Sequence, residues 1–292
     1  FFSNLSSPYL FIFPYLSPLI YFSLLIYLSP PLSIIMLWLD SFWHYLFTNH
    51  LETIQSPFFR IGYAYLCYFS FTTPFVLLDL VGVKRQKLQP GKKVEVWMMV
   101  KCLGNYALNN IFLIWPLTLL EWFTGMGKIE ISEQPPSLPL LGVKLLLGLL
   151  LFDFAFFLSH RLMHTNAMLY RWVHYVHHEW HSPFAYTTQY LSPIELLSVG
   201  AIGGGIPYIL KMHWLGHYIF LGIVTLTSVE QHCGFDLGLH ELTLGVYCGS
   251  NWHDLHHQQP FSNYCGMFTF WDRIYKTDHR FVVEHKLKKK KN

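Results

Sequence analysis

Long, charge-poor apolar runs constrain this chain more than any other feature. Phe58–Val81, Leu103–Phe123, Leu140–Ser159 and Ile194–Val229 are mostly apolar, and a helix needs about 20 such residues to cross a hydrocarbon core. The last run is long enough for a hairpin of two helices, with a break at Lys211-Met-His213. Gly200, Gly203, Gly204, Gly205 and Pro207 are expected to loosen or kink its first arm. Buried helices of a soluble protein are the alternative, but the chain lacks the charge to coat a surface. Charged residues make up 13% of its 292 positions, against roughly 25% in soluble domains. A net charge of +3, with one basic run from Lys286 onward, argues against a nucleic-acid-binding face. Five scattered cysteines without C-x-x-C spacing argue against a disulfide framework or a zinc ribbon.

The first Met is Met36. The 35 residues before it are uncharged and contain five prolines. They read as a doubtful apolar extension ahead of a start at Met36, or as a membrane segment broken by proline. Between the first two runs lie Lys84, Arg85, Lys87, Lys92, Lys93 and Lys101 against one acid, Glu95. By the positive-inside bias this loop is cytosolic. Counting spans from there puts the chain after Ser159 and after Glu230 on the cytosolic side as well.

Every histidine cluster then falls on one face. The chain has 17 histidines against 20 Lys and Arg, and eight lie in His160-Arg-Leu-Met-His164, His174-Tyr-Val-His177-His178 and His253-Asp-Leu-His256-His257. Helical residues three and four apart share a face, so the first ring of each H-x-x-H-H is expected to align with both later ones. Converging imidazole nitrogens suit a metal about 2 Å away. Eight donors exceed one tetrahedral zinc, whereas two metals with four to six positions each use about eight to twelve. His232 and, less directly, His240 extend the set. Imidazole suits zinc, copper, nickel and iron alike.

The zinc-protease spacing H-E-x-x-H is absent, since His178-Glu-Trp-His181 is one residue short. No dinucleotide fingerprint, P-loop, nucleophile elbow or carboxylate pair is evident, which leaves metal-centred oxidation. Asp153, seven residues before His160 within a span, is a candidate to accept the proton on the far nitrogen of a ligand imidazole. Asp236, four residues after His232, is a weaker candidate because Gly234 intervenes.

These motifs resemble the sterol desaturase/fatty acid hydroxylase superfamily of membrane di-iron enzymes. The resemblance runs from about Gln55 to Thr277. It is carried by Asp153…His160-Arg-x-x-His164, His174-x-x-His177-His178, Glu230-Gln-His232-Cys-Gly234, His253-Asp-Leu-His256-His257 and the closing Asn263…Trp271-Asp272-Arg273. Gln55-Ser-Pro-Phe-Phe59, and Thr188-Gln-Tyr-Leu-Ser192 with Glu195, are similar to its cholesterol 25-hydroxylase branch. The methyl-sterol oxidase branch usually has a histidine near Ser192. Cys233 stands where serine is common and Cys265 where some branches carry glycine; both are expected near the substrate pocket.

The resemblance implies an all-α fold, a polytopic membrane helix bundle with a cytosolic, histidine-rich di-metal cap. Residues 36–292 would form the hydroxylase domain, with a catalytic core at about 140–277. His160, His164, His174, His177, His178, His232, His253, His256 and His257 would hold two Fe ions; whether His240 or His181 is a further ligand is left open by the sequence. The implied reaction is O2-dependent hydroxylation of a sterol, cholesterol to 25-hydroxycholesterol, within a long apolar slot between the spans. Its electrons would come from cytochrome b5 and an NAD(P)H-dependent reductase. Lysines at the third and fourth positions from the end fit retrieval to the endoplasmic reticulum membrane, or contact with an anionic leaflet. A sterol desaturase, a fatty-acyl hydroxylase and a non-redox membrane zinc protein are the alternatives.

Overall fold

The computed structural model describes residues 30–125 and 131–284, with side chains from residue 37 onward. The lysine tail and nearly all of the stretch before Met36 lie outside these residues. The described chain is helical. It has two isolated β-bridges, Lys87 with Phe235 and Tyr247 with Phe268, and no strand among the described residues.

Two units are distinguished. The described part of the smaller comprises residues 30–52 and 132–135; in it Trp43 is buried and donates its indole N–H to the Ser132 carbonyl at 3.1 Å. Helix α1 (Pro30–Gln55) begins there. The larger unit, whose described residues are 53–125, 131 and 136–284, holds every element discussed below.

Helix α2 (Pro57–Val81) starts where Ser56 caps Phe58 N–H and Pro57 occupies the first turn; it stops at Gly82, left-handed at φ 76°. The run expected as one span at 103–123 is continuous but not uniform. Helix α3 (Val96–Asn109) passes through a π-turn, Asn110–Ile114, into α4 (Trp115–Thr124). Pro116 has no N–H for the ladder, and a π-turn just before it is one way to absorb that loss. Helix α5 (Leu138–Thr165) is the longest. Helices α6 (Pro193–Ile209) and α7 (Trp214–His232) form the expected hairpin, turning through Lys211 at φ 45°. The glycines of its first arm do not break it: α6 is regular through Gly200–Pro207.

By length and composition α2 and α5 could each cross a membrane, with 22% of the apolar window buried in each. Helix α7 is the hub, packing on α2, α5, α6 and α8 (Gly249–Gln258). A Cβ on Gly216 would sit 2.6 Å from Leu141 Cδ1, so that glycine lets the hairpin turn approach the start of α5. The hairpin therefore has its turn at one end of α5 and its two open ends at the other.

Candidate metal centre

At that other end the histidines converge. Helix α5 delivers His160 and His164 in its last turns, one above the other. The chain then passes through a π-turn, Tyr170–His174, and a 3-10 turn, His177–Glu179. His232 ends α7, and α8 carries His253, His256 and His257. The nine histidines form two groups: His160, His164, His174, His178 and His256, and then His177, His232, His253 and His257. Within each group the candidate ligand atoms lie within 4.8 Å of one another. Eight of the nine are buried and His164 is half-buried.

Both H-x-x-H-H clusters divide between the groups. His174 pairs with His178, and His253 with His257, while His177 and His256 cross to the other group. This corrects the expectation that the first ring aligns with both later ones. On α8 neighbouring residues are about 100° apart, so adjacent rings diverge and each doublet serves two centres.

The hydrogen bonds set the chemistry of these rings. His160 Nδ1–H donates to the Tyr264 carbonyl at 2.8 Å, His256 to Ser262 at 2.6 Å, His232 to Ser228 at 2.7 Å and His257 to Trp180 at 3.1 Å. His174 Nδ1–H donates to Glu195 Oε1 at 2.6 Å. Each such bond leaves Nε2 as a bare lone pair. Yet His160 Nε2 lies 3.1 Å from His174 Nε2, and buried His257 Nε2 has no protein partner. Two lone pairs at that distance repel unless a cation lies between them. Two nitrogens bound at right angles to one ion, about 2.1 Å away, lie about 3 Å apart. Contacts of 3.0–3.2 Å recur for His164–His160, His178–His174, His256–His178, His232–His177 and His253–His232. The residues fit a pair of metal ions. Burial, reinforced by neighbouring imidazoles, holds His174, His177, His178, His253, His256 and His257 well below the ordinary histidine pKa, so they are neutral donors at pH 7.

Asp153 does not meet an imidazole. It accepts Gly266 N–H at 3.1 Å, Met267 N–H at 2.6 Å and Phe268 N–H at 3.1 Å. Asp272 holds the same loop from the other side through Tyr264 N–H at 2.9 Å and Cys265 N–H at 3.0 Å. Asp153 thus steadies the loop whose Tyr264 carbonyl orients His160. The carboxylate on a histidine of the cluster is instead Glu195. It sits in the first turn of α6, where Ser192 caps its N–H at 3.2 Å. A charged residue at the mouth of an apolar helix was the signal for it. Asp236 caps Gly238 N–H at 2.9 Å and touches none of the nine histidines. His181 donates to the His257 carbonyl at 3.3 Å and His240 to the Tyr247 carbonyl at 2.9 Å; neither joins a group.

A cavity opens on the cluster between α5, α6 and α7. Phe152, Phe156, Val199 and Val224 wall it, and His160, His174, His177, His232 and His253 form its floor. Both groups therefore face one apolar space. Cys233 and Cys265 do not line it; both are buried elsewhere, Cys233 bonded to Phe235 and Cys265 packed with Phe157.

Residues 145–277 match the model of the family described as Fatty acid hydroxylase. The chain is 36% identical over 253 residues to Cholesterol 25-hydroxylase-like protein 1, member 2 of Danio rerio, covering 83% of this chain and 91% of that protein. Identity to Cholesterol 25-hydroxylase of Homo sapiens is 35%, covering 78% and 88%. Identity to Cholesterol 25-hydroxylase-like protein of Caenorhabditis elegans is 31%, covering 85% and 86%. No solved structure matches the chain. With relatives this similar along most of its length, and the histidine clusters inside the matched segment, the chain belongs to the fatty acid hydroxylase family, among the cholesterol 25-hydroxylases and their relatives.

Proposed function

We propose that this protein is a membrane-bound, O2-dependent sterol hydroxylase whose nine clustered histidines hold two iron ions, with cholesterol, hydroxylated at carbon 25, as its substrate. One observation carries the reading: two histidine groups face a single apolar cavity. The names of the relatives, cholesterol 25-hydroxylases, support the choice of substrate. Iron held there would supply the activation of O2 that an unactivated C–H bond requires. The protein's own residues do the rest. The Nδ1–H bonds to carbonyls and to Glu195 fix five rings with Nε2 turned inward. Phe152, Phe156, Val199 and Val224 exclude water and hold an aliphatic tail against the floor.

The apolar helices support a bilayer-embedded enzyme. In α2 and α5 most of the apolar window faces outward, unlike a core helix of a soluble protein. With the runs at 103–123 and 194–229 they would form a polytopic bundle, with the metal end and the basic loop at 84–93 on the cytosolic side of the endoplasmic reticulum. Cytochrome b5 with its reductase is the donor proposed for the two electrons each turnover consumes.

The test is expression in microsomes supplied with cholesterol, followed by mass spectrometry of the lipids and metal analysis of the purified protein. The expected product carries one added oxygen at carbon 25, and His177→Ala or His256→Ala abolishes it and lowers bound iron. Loss of two hydrogens would identify a desaturase. Oxygen on a fatty acyl chain would identify an acyl hydroxylase. Zinc, with no O2 consumed after ferrous loading, would overturn the redox reading.

A further inference from the structure

Hydroxylation of R–H to R–OH with release of water consumes one O2, two protons and two electrons, and the electrons come from outside the histidine groups. One face of the protein leads from solvent toward those groups. The loop between α2 and α3 folds back onto the metal end: Leu88 N–H bonds the Gly234 carbonyl at 3.1 Å, and Gln89 Nε2 reaches Asp254 Oδ1 at 2.8 Å and the His181 carbonyl at 3.0 Å. Asp254 lies on α8 next to His253. The loop is thus tied to the helix that carries three of the nine histidines, while Lys84, Arg85, Lys92 and Lys93 stand exposed around it.

Directly beyond the loop, Trp97 lies in the first turn of α3 with 57% of its surface exposed and its indole N–H donated to Glu95 Oε2 at 2.8 Å. Its ring lies 5.8 Å, centroid to centroid, from that of Trp180, which is buried. Trp180 in turn accepts the His257 Nδ1–H bond at 3.1 Å through its carbonyl. From a solvent-facing indole to a nitrogen that faces the second histidine group, the path is one ring contact, the bonds of Trp180 from indole to carbonyl, one hydrogen bond and one imidazole ring. Lys101, over the Trp180 ring at 5.4 Å, is paired with Glu179 and so adds no net charge to this face.

We propose that the exposed cations of this loop, Lys84, Arg85, Lys92 and Lys93, together with Trp97 at the start of the helix that follows, dock an acidic one-electron carrier protein, and that Trp97 and Trp180 bridge its electrons to His257. The proposal rests on the monooxygenase reading above. At each docking the carrier is oxidised by one electron and the metal centre is reduced by one; two dockings supply one hydroxylation. The indoles act as a packed conducting path and are not themselves oxidised or reduced. Complementary charge speeds such encounters and makes them salt-sensitive, and electron-transfer contacts are characteristically small. An anionic membrane would also attract the cations and seat an interfacial indole; what it leaves unexplained is the contact of that indole with Trp180, whose carbonyl holds His257.

The experiment uses the full chain in phospholipid nanodiscs, loaded with iron and oxidised, with reduced cytochrome b5 as the probe carrier. Stopped-flow spectroscopy follows reduction of the metal centre at several carrier and salt concentrations, and carrier binding to the metal-free protein is measured separately. A variant combining Arg85→Glu, Lys92→Glu and Lys93→Glu is expected to lower the second-order rate about tenfold at low salt, flatten its salt dependence and weaken carrier binding. Trp97→Leu is expected to lower the limiting rate at saturating carrier severalfold while leaving binding nearly unchanged, and Trp97→Phe to retain most of that rate. Reduction by dithionite and iron content are expected to be unchanged in all three. Wild-type rates in the charge variant or in Trp97→Leu would overturn the proposal. So would a charge variant that loses only its binding to phosphatidylserine vesicles, which would assign the loop to the membrane. A wild-type protein reduced by dithionite but not by the carrier overturns the docking face alone, whereas one reduced by neither overturns the monooxygenase reading beneath it.

Discussion

Glu195 and Asp153 show how two buried carboxylates serve one site by different means. Glu195 takes the Nδ1–H of His174 at 2.6 Å, and its Oε2 has no protein partner beside the cavity. Removing it frees the ring to turn. Glu195→Ala is expected to weaken metal binding about 10- to 100-fold, measured by chelator competition, with partial recovery in Glu195→Asp. Unchanged affinity would mean that packing alone orients His174. Asp153 accepts three backbone N–H groups, and an amide in its place leaves at least one unpaired. Asp153→Asn is therefore expected to cost about 1–3 kcal/mol, read as a lower thermal midpoint, and to reduce metal affinity less than Glu195→Ala does. The reverse order would restore Asp153 to direct contact with a ligand. The sequence marked Asp153 as important because an intramembrane carboxylate is expensive. It misplaced the partner because periodicity reports neighbours on the same helix, whereas the loop at Gly266 is 113 residues away.

Among the elements, α7 and α8 account for much of what was legible. Apolar length marked the α6–α7 hairpin and its break at Lys211. Spacing marked eight of the nine histidines that the structure brings together, and the resemblance added His232. The division into two groups was not legible, because it depends on helical phase: a four-residue step keeps two rings together and adjacent residues separate them. The second cluster lies across a π-turn and a 3-10 turn, which no periodic pattern announces. Neighbouring histidines therefore have different consequences. His178→Ala removes a donor from the first group and His177→Ala from the second. Each is expected to reduce bound metal from about two ions per chain toward about one, and each retained ion should have a different coordination spectrum. Equal loss of both ions from either variant would show that the groups act as one site.

At the scale of the whole molecule, an apolar helical scaffold encloses a cluster of neutral bases, and that arrangement makes stability depend on acid. In the metal-free protein, burial first and neighbouring imidazoles second hold His174, His177, His178, His253, His256 and His257 well below the ordinary value. Above the unfolded-state pKa of about 6.5 these rings are neutral in both states and contribute no pH dependence. As the pH falls below about 6.5 the unfolded chain takes up protons that the folded cluster refuses, so stability declines at up to about 1.4 kcal/mol per ring for each pH unit. The decline continues until the folded rings themselves protonate. Bound metal occupies the same lone pairs in the folded state and adds its binding free energy there. The metal-free protein in detergent is expected to melt several degrees lower at about pH 5.5 than at about pH 7.5, and the metal-loaded protein to melt higher at both. A metal-free midpoint that stays level across that interval would mean the rings are solvated or already charged, and a cluster of that kind could not offer two cations a set of neutral imidazoles.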